Sequence, residues 1–257
     1  MKIVRFLNNG QPEYGIMEGN VVFFCHGDPF GGLTRTSRSV DARSIKPLAP
    51  VAPVNIICLG LNYKAHANEM NLQYPTPPIF LKTTTAVCGP NDPIVLPPGF
   101  EDTVDWEVEL VVVIGKRIKD VTEEEAGDAI LGYTISNDVS NRKMQFGDIQ
   151  WCRGKSHDTF CPLGPAIETE LDTADLKIEC RLDGVVMQSS STAQMIMSCR
   201  QIVSWLSRSM TLLPGTVIMT GTPEGVGYTR TPPVFMKRGQ TVECSIEGIG
   251  KLTNPVS

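Results

Sequence analysis

The sequence predicts an α+β fold that is rich in β-structure. Short runs alternating apolar and polar residues recur between Gly and Pro turns, the unbroken apolar run Leu110-Val111-Val112-Val113-Ile114 has the length of a buried strand, and helical spacing is confined to a few segments. No internal repeat or low-complexity tract interrupts this pattern.

Taken in chain order, residues 1 to about 50 read as short strands, Lys2 to Phe6, Tyr14 to Met17 and Val21 to Phe24, separated by the turn signals Asn8-Asn9-Gly10 and Glu18-Gly19-Asn20. Pro47, Pro50 and Pro53 then punctuate the chain, which predicts a small N-terminal β-domain over residues 1–50 and a main domain over residues 51–257. The main domain opens on a buried-strand pattern from Asn55 to Leu61. Thr122 followed by Glu123, Glu124 and Glu125 is an N-cap with an acidic first turn, and predicts a helix that runs through Ala126 to Ile130 and ends near Gly132. An apolar strand, Ile130 to Ile135, leads into Ser136-Asn137-Asp138. Met195, Ile196, Cys199, Ile202, Val203 and Leu206 recur at helical spacing and predict a second helix over Thr192 to Leu206, with its Met stripe in the core. Lys177 to Leu182, Thr216 to Thr220 and Thr241 to Ile246 alternate with period two and read as strands.

Composition removes several function classes. The 257 residues are 41% hydrophobic, enough for a substantial core. The 23 basic and 28 acidic residues give a formal charge of −5, and no basic cluster exceeds a pair such as Lys116-Arg117, so electrostatic capture of nucleic acid is not expected. The eight cysteines include no pair at the spacing of a zinc or thioredoxin-like motif, and they read as small buried hydrophobes. The first residues lack the apolar stretch of a signal peptide, and no segment reaches the roughly 18 apolar residues of a membrane span. A cytoplasmic protein without a membrane partner is the expectation.

The chemistry concentrates in acids. Asp105, Glu107 and Glu109 fall on one face of a strand that continues into the apolar run, where neighbouring anions repel unless a cation lies between them. Asp138, at the end of another strand, adds a further carboxylate. Oxygen ligands without paired Cys or His select Mg²⁺, Mn²⁺ or Ca²⁺ over zinc, and spacing leaves open which of the acids bind. In Asn62-Tyr63-Lys64-Ala65-His66-Ala67-Asn68-Glu69, a helix would bring His66 and Glu69 together at i, i+3, an arrangement suited to a general base; a surface pair is the alternative. His26 reads as structural. Lys155, within Arg153-Gly154-Lys155-Ser156, could stabilise a developing enolate or pair with Asp158. Thr220 to Gly227 is a tight loop whose backbone amides and hydroxyls suit a carboxylate, but it lacks the signature of a nucleotide loop.

Together these residues resemble the fumarylacetoacetate hydrolase family in its short, acylpyruvase-like form. The stretches that carry the resemblance are Gly60-Leu61-Asn62-Tyr63 with His66 and Glu69, Pro78 to Lys82, Asp105 to Leu110, Asn137-Asp138-Val139-Ser140 with Arg142 and Gln145, Gly154-Lys155-Ser156 with Asp158-Thr159-Phe160, Pro162 to Pro165, and Thr220 to Gly227. The resemblance implies a mixed β-sandwich roll, a homodimer, and Mg²⁺ or Mn²⁺ held by Glu107, Glu109 and Asp138. It further implies that Lys155 flanks the metal, that Arg142 and Gln145 contact a 2-oxo acid, that Thr222 and its loop bind the substrate carboxylate, and that His66 and Glu69 lie on a mobile lid. Asn141 and Lys143 depart from the Ala and Asp that commonly flank the arginine, and Ser189-Ser190-Ser191-Thr192 stands where Gly-Asn-Thr is usual after Gln188.

A site of this kind suits cleavage or rearrangement beside a 2-oxo acid, with an enolate as the shared intermediate. The expectation is divalent-metal-dependent C–C hydrolysis of an acylpyruvate-type 1,3-diketo acid, with His66, oriented by Glu69, activating the water. Oxaloacetate decarboxylation and keto–enol tautomerisation are alternatives on the same site. A non-catalytic metal-stabilised binding protein is the reading from another class.

Overall fold

The structure, a computed structural model, describes residues 1–70 and 76–257. One sheet runs in the hydrogen-bonded order Gly32–Asp41, Val21–Asp28, Gln11–Glu18, Lys2–Asn8, Cys161–Glu168, Ile130–Asn137, Val108–Ile114, Val217–Met219, Ile56–Leu59, Ile79–Lys82. A second sheet of four antiparallel strands is ordered Val185–Ser191, Lys177–Leu182, Thr241–Ile246, Gly250–Pro255. Val217–Met219 runs parallel to Ile56–Leu59, and most other neighbours are antiparallel. The chain therefore has the β-rich α+β fold that its pattern predicts.

Val108–Ile114 is buried along its whole length because it has a core on each side. Leu110, Val112 and Ile114 pack toward Ile178, Cys180, Val242 and Cys244 of the four-stranded sheet and toward Ile202, Val203 and Leu206 of a helix. Val111 and Val113 point the other way, into a cluster with Cys58, Leu163, Ile167 and Met219. Burial on both faces is why this strand reads as a continuous apolar run rather than an alternation.

The first residues form a meander whose outermost strand, Gly32–Asp41, is rich in Thr, Arg and Ser, and this strand carries too little apolar alternation to be seen in the sequence. The meander joins the large sheet through the pairs Lys2 with Glu168 and Ile3 with Ile167, and has its own cluster of Val4, Phe6, Val22 and Phe24 against Ala166. Eight cysteines are free and seven are buried, as expected of small apolar side chains. No helix among the described residues is long and apolar enough to cross a membrane.

Two helices correspond to the expected ones, and one needs correction. Glu123–Ala129 begins at a Thr122–Glu125 capping box. The helix expected over Thr192 to Leu206 instead spans Cys199–Ser209, and Thr192–Gln194 is a separate 3₁₀ turn. Ser198 and Gln201 form the capping box that starts the helix, while Met195 is extended and Ile196 lies in a bend. Asn62 accounts for the difference. Its backbone carbonyl accepts from Ile196 N–H at 2.7 Å, its Oδ1 accepts from Met197 N–H at 2.8 Å, and its Nδ2 donates to Met197 O at 3.0 Å and Thr220 O at 2.8 Å. A tertiary clamp thus overrides the local helical spacing.

Because Leu110 is fully buried on the strand shared by both cores, Leu110→Ala should lower the unfolding free energy by about 3 kcal/mol. Urea denaturation checks this; a change below about 1 kcal/mol would show that the site collapses around the lost volume.

Candidate active site

The central strand delivers the acids. The period of two that sends Val111 and Val113 to one face carries Glu109 to the same side, and Glu107 sits just before the ladder begins. Asp138 follows the neighbouring strand Ile130–Asn137, and its N–H donates to Glu107 O at 2.8 Å. Asn137 Oδ1 accepts from Glu107 N–H at 2.9 Å, so the two strand ends are tied at the point where the acids meet. Oxygen atoms of Glu107, Glu109 and Asp138 all lie within 4.8 Å of one another, and all three residues are buried.

Cations surround this cluster unevenly. Lys155 Nζ donates to Glu107 Oε2 at 2.8 Å and to Asp138 Oδ2 at 2.6 Å, and Lys82 Nζ bonds the other oxygen of Asp138. Arg142 lies 2.6 Å from Glu107 Oε1 and pairs with Asp105, at 2.8 Å. Burial works to raise the Glu107 carboxyl, but Lys155 and Arg142 outweigh it and hold Glu107 well below the usual carboxylate range. Burial would likewise depress Lys155, yet Asp138 and Glu107 raise it, so it stays an ammonium. Glu109 is different: among the described residues its only recorded donor is Gly221 N–H, at 2.7 Å. Burial and the charges of Asp138 and Glu107 push its carboxyl well above the ordinary value. A buried oxygen-only cluster with one carboxylate lacking a cation fits a hard divalent ion such as Mg²⁺ or Mn²⁺.

The helix Lys64–Glu69 forms as the His66 and Glu69 spacing requires. His66 is 4% exposed, and Nδ1 is 2.8 Å from Glu69 Oε1, which rules out a surface pair. Burial acts to raise Glu69, but the hydrogen bonds from His66 and Gly225 outweigh it and lower its carboxyl pKa. Leu59, Leu61, Met70, Phe80 and Trp151 supply the apolar wall of a cavity whose polar lining includes His66, Glu107, Glu109, Arg142, Gln145, Lys155 and Thr222. Gly154 allows Lys155 to reach this cavity. A Cβ there would stand 2.6 Å from Gln145 N and 3.0 Å from Asn141 O, so no larger residue lets the short helix Cys152–Lys155 pack against Arg142–Gly147.

The nine residues to which the resemblance assigns roles lie together here, with some partners different from those expected. Asp105 is not in the carboxylate cluster. The strand breaks after it, and its carboxylate accepts from Arg142 Nε at 2.9 Å and from the N–H groups of Gly227 and Tyr228 at 2.8 and 2.9 Å. Lys155 pairs with Glu107 and Asp138, while Asp158 is exposed. The Thr220–Gly227 loop does present amides to carboxylates, but to the protein's own: Glu109, Asp105 and Glu69. Thr222 Oγ1 donates to Val108 O at 2.9 Å and accepts from Gln188 Nε2 at 2.8 Å. Lys82 has no counterpart among the expected site residues. Its signal was the strand Ile79–Lys82, where Phe80 and Lys82 share the buried face, a position in which a lysine requires a buried partner.

A buried carboxylate triad edged by lysines, with an oriented imidazole across a small cavity, is a donor set that suits a divalent cation and proton transfer. Residues 55–257 match the fumarylacetoacetate (FAA) hydrolase C-terminal family, and residues 1–50 match the family described as Rv2993c-like, N-terminal. The chain belongs to the fumarylacetoacetate hydrolase family. It is 49% identical over 216 residues to the Bos taurus protein named oxaloacetate tautomerase FAHD2A, mitochondrial, covering 81% of this chain and 68% of that one. Protein Rv2993c of Mycobacterium tuberculosis is 49% identical over 232 residues, 89% of this chain and 84% of its own. A crystal structure titled 5-carboxymethyl-2-hydroxymuconate delta-isomerase from Mycobacterium smegmatis superposes with a TM-score of 0.90 at 44% identity, covering 100% of this chain and 99% of that chain.

Mg²⁺ or Mn²⁺ should raise the melting temperature, chelator should reverse the rise, and Glu109→Gln should abolish it. A metal-insensitive melting temperature in the parent chain would remove the cluster as a metal centre. Since the cation competes with a proton on Glu109, whose pKa is raised, affinity measured by titration calorimetry should strengthen with pH from the ordinary carboxyl pKa to the raised one.

Proposed function

We propose that this enzyme interconverts the keto and enol forms of a small 2-oxo diacid, with oxaloacetate as the first substrate to test. The observation that carries the reading is the meeting, in one cavity, of an imidazole held by a carboxylate, a buried ammonium and the acid triad, in a chain 49% identical to a named oxaloacetate tautomerase. Tautomerisation moves one proton between C3 and the 2-oxygen, and requires neither an attacking water nor a leaving group. With Nδ1 held by Glu69, the His66 Nε2 is the atom free to exchange a proton with C3. Lys155, kept charged by its two carboxylates, offsets negative charge growing on the 2-oxygen. Gln145 Oε1 accepts from Arg142 at 2.9 Å, so its amide nitrogen is the end that would donate to a substrate carboxylate, next to Arg142 and the Thr222 loop.

Glu107, Glu109 and Asp138 would hold the divalent cation, which when bound supplies Lewis-acid polarisation of the substrate's oxygens. C–C hydrolysis of an acylpyruvate, the reaction favoured by the sequence, is retained as a second reading because the family that covers residues 55–257 is described by a hydrolase. It demands one component more than tautomerisation, a water positioned by His66 on the distal carbonyl. The same residues serve both reactions, so the substrate's distal group selects between them.

Enol oxaloacetate and acetylpyruvate, assayed in parallel with Mg²⁺ or Mn²⁺ and again with chelator, separate the readings. Metal-dependent ketonisation faster than acetylpyruvate cleavage is expected; the reverse order would replace tautomerisation by hydrolysis. His66→Ala should slow ketonisation by roughly 10²-fold or more. An unchanged rate would exclude His66 as the proton carrier.

A further inference from the structure

The loop Gly225–Thr229 touches both halves of the site. Gly225 N–H donates to the two oxygens of Glu69 at 3.2 and 3.1 Å, and Thr229 Oγ1 lies 3.2 Å from Glu69 Oε2. Two residues away, Gly227 and Tyr228 give their N–H groups to Asp105, which holds Arg142. The Tyr228 ring also stacks on Phe146, next to Gln145, with centroids 4.9 Å apart. One short loop thus fastens the His66 helix on one side and the Arg142 helix on the other.

Within this loop Thr229 has a distinctive arrangement. Its single hydroxyl proton can go either to Glu69 Oε2 or to Val226 O, which is 3.1 Å away. When Glu69 is seated, the hydroxyl and the Gly225 amide together hold Oε2 while Oε1 faces His66 Nδ1. Without Glu69 the hydroxyl would keep Val226 O as its acceptor, whereas Gly225 N–H would lose its only one. The two donors together grip the carboxylate, and the hydroxyl is the one that can let go without losing a partner.

We propose that Thr229 is a positioning residue, acting through Glu69 to hold the His66 imidazole over the cavity, and that Gly225–Thr229 is the catch for the Lys64–Glu69 helix. This rests on the reading of His66 as the proton carrier only for its effect on turnover. The geometric claim stands apart from the reaction, because it concerns the resting protein.

Both claims are tested with Thr229→Val, which keeps the side-chain shape and removes the hydroxyl, and with Thr229→Ser, which restores it. The chain has only three histidines, so the His66 ring resonances are readily assigned by ¹H–¹⁵N NMR. In the parent and in Thr229→Ser, the His66 Nδ1–H resonance should be visible and protected from exchange by Glu69. In Thr229→Val it should broaden or disappear, and kcat for whichever 2-oxo acid is turned over should fall about 3- to 10-fold with KM less affected, as expected for loss of one hydrogen bond worth about 1 kcal/mol. A Val variant with an unchanged, protected resonance would overturn the proposal whatever the substrate proves to be. A lost resonance with unchanged kcat would leave Thr229 as the catch and instead remove His66 from the reaction.

Discussion

Everything in the site follows from placing carboxylates where water cannot solvate them. Asp105, Glu107, Glu109 and Asp138 are all buried, and Lys82, Arg142 and Lys155 are buried against them. Each ion alone would cost several kcal/mol to bury, so the seven groups are mutually dependent. Three cations face four carboxylates, and among the described residues Glu109 is the carboxylate with no cation bonded to it. That imbalance is what would favour an added cation at this point. The electrostatic frame also fixes geometry, since Lys155 bridges two acids from different strands and Arg142 bridges Asp105 and Glu107.

The scaffold is arranged to make that burial possible. A strand with cores on both faces cannot slip in register without exposing apolar residues, so Glu109 is held as firmly as Val111 and Val113 are packed. Tyr63, Asn62 and the Thr220 loop converge on the same end of the sheet, and Gly154 admits a short helix bearing Lys155. Rigid strands carry the charged groups, while the imidazole comes from a six-residue helix that depends on Glu69 for its attachment. The division places fixed charge on the sheet and the imidazole on a short helix.

Much of this was legible in the chain because the signals are local. Two glutamates of equal parity beside Leu110 to Ile114, Asp138 at a strand end, and His66 with Glu69 at helical spacing each follow from period and residue type. What the sequence did not disclose depends on contacts far apart along the chain. Asp105 has the same parity as the glutamates, yet the partners that claim it, Arg142 and the amides of Gly227 and Tyr228, lie at least 37 residues away. Lys82 is unremarkable until its strand is seen to lie at the sheet edge with its side chain turned toward Asp138. The misplaced start of the Cys199–Ser209 helix has the same origin, because Asn62, 135 residues from Met197, holds that segment out of the helix. The choice between tautomerisation and hydrolysis was illegible for another reason: both reactions use the same groups.

The clamp made by Asn62 has a mechanical consequence. It ties the chain to Met197 and Thr220 two residues before the helix that bears His66, and Leu61 beside it adopts a left-handed φ of 59°. The root of the helix is therefore pinned by Asn62, and Glu69, its last residue, is held by Gly225 and Thr229. Like a beam on two supports, the helix holds His66 between them, so a change at either support reaches the imidazole.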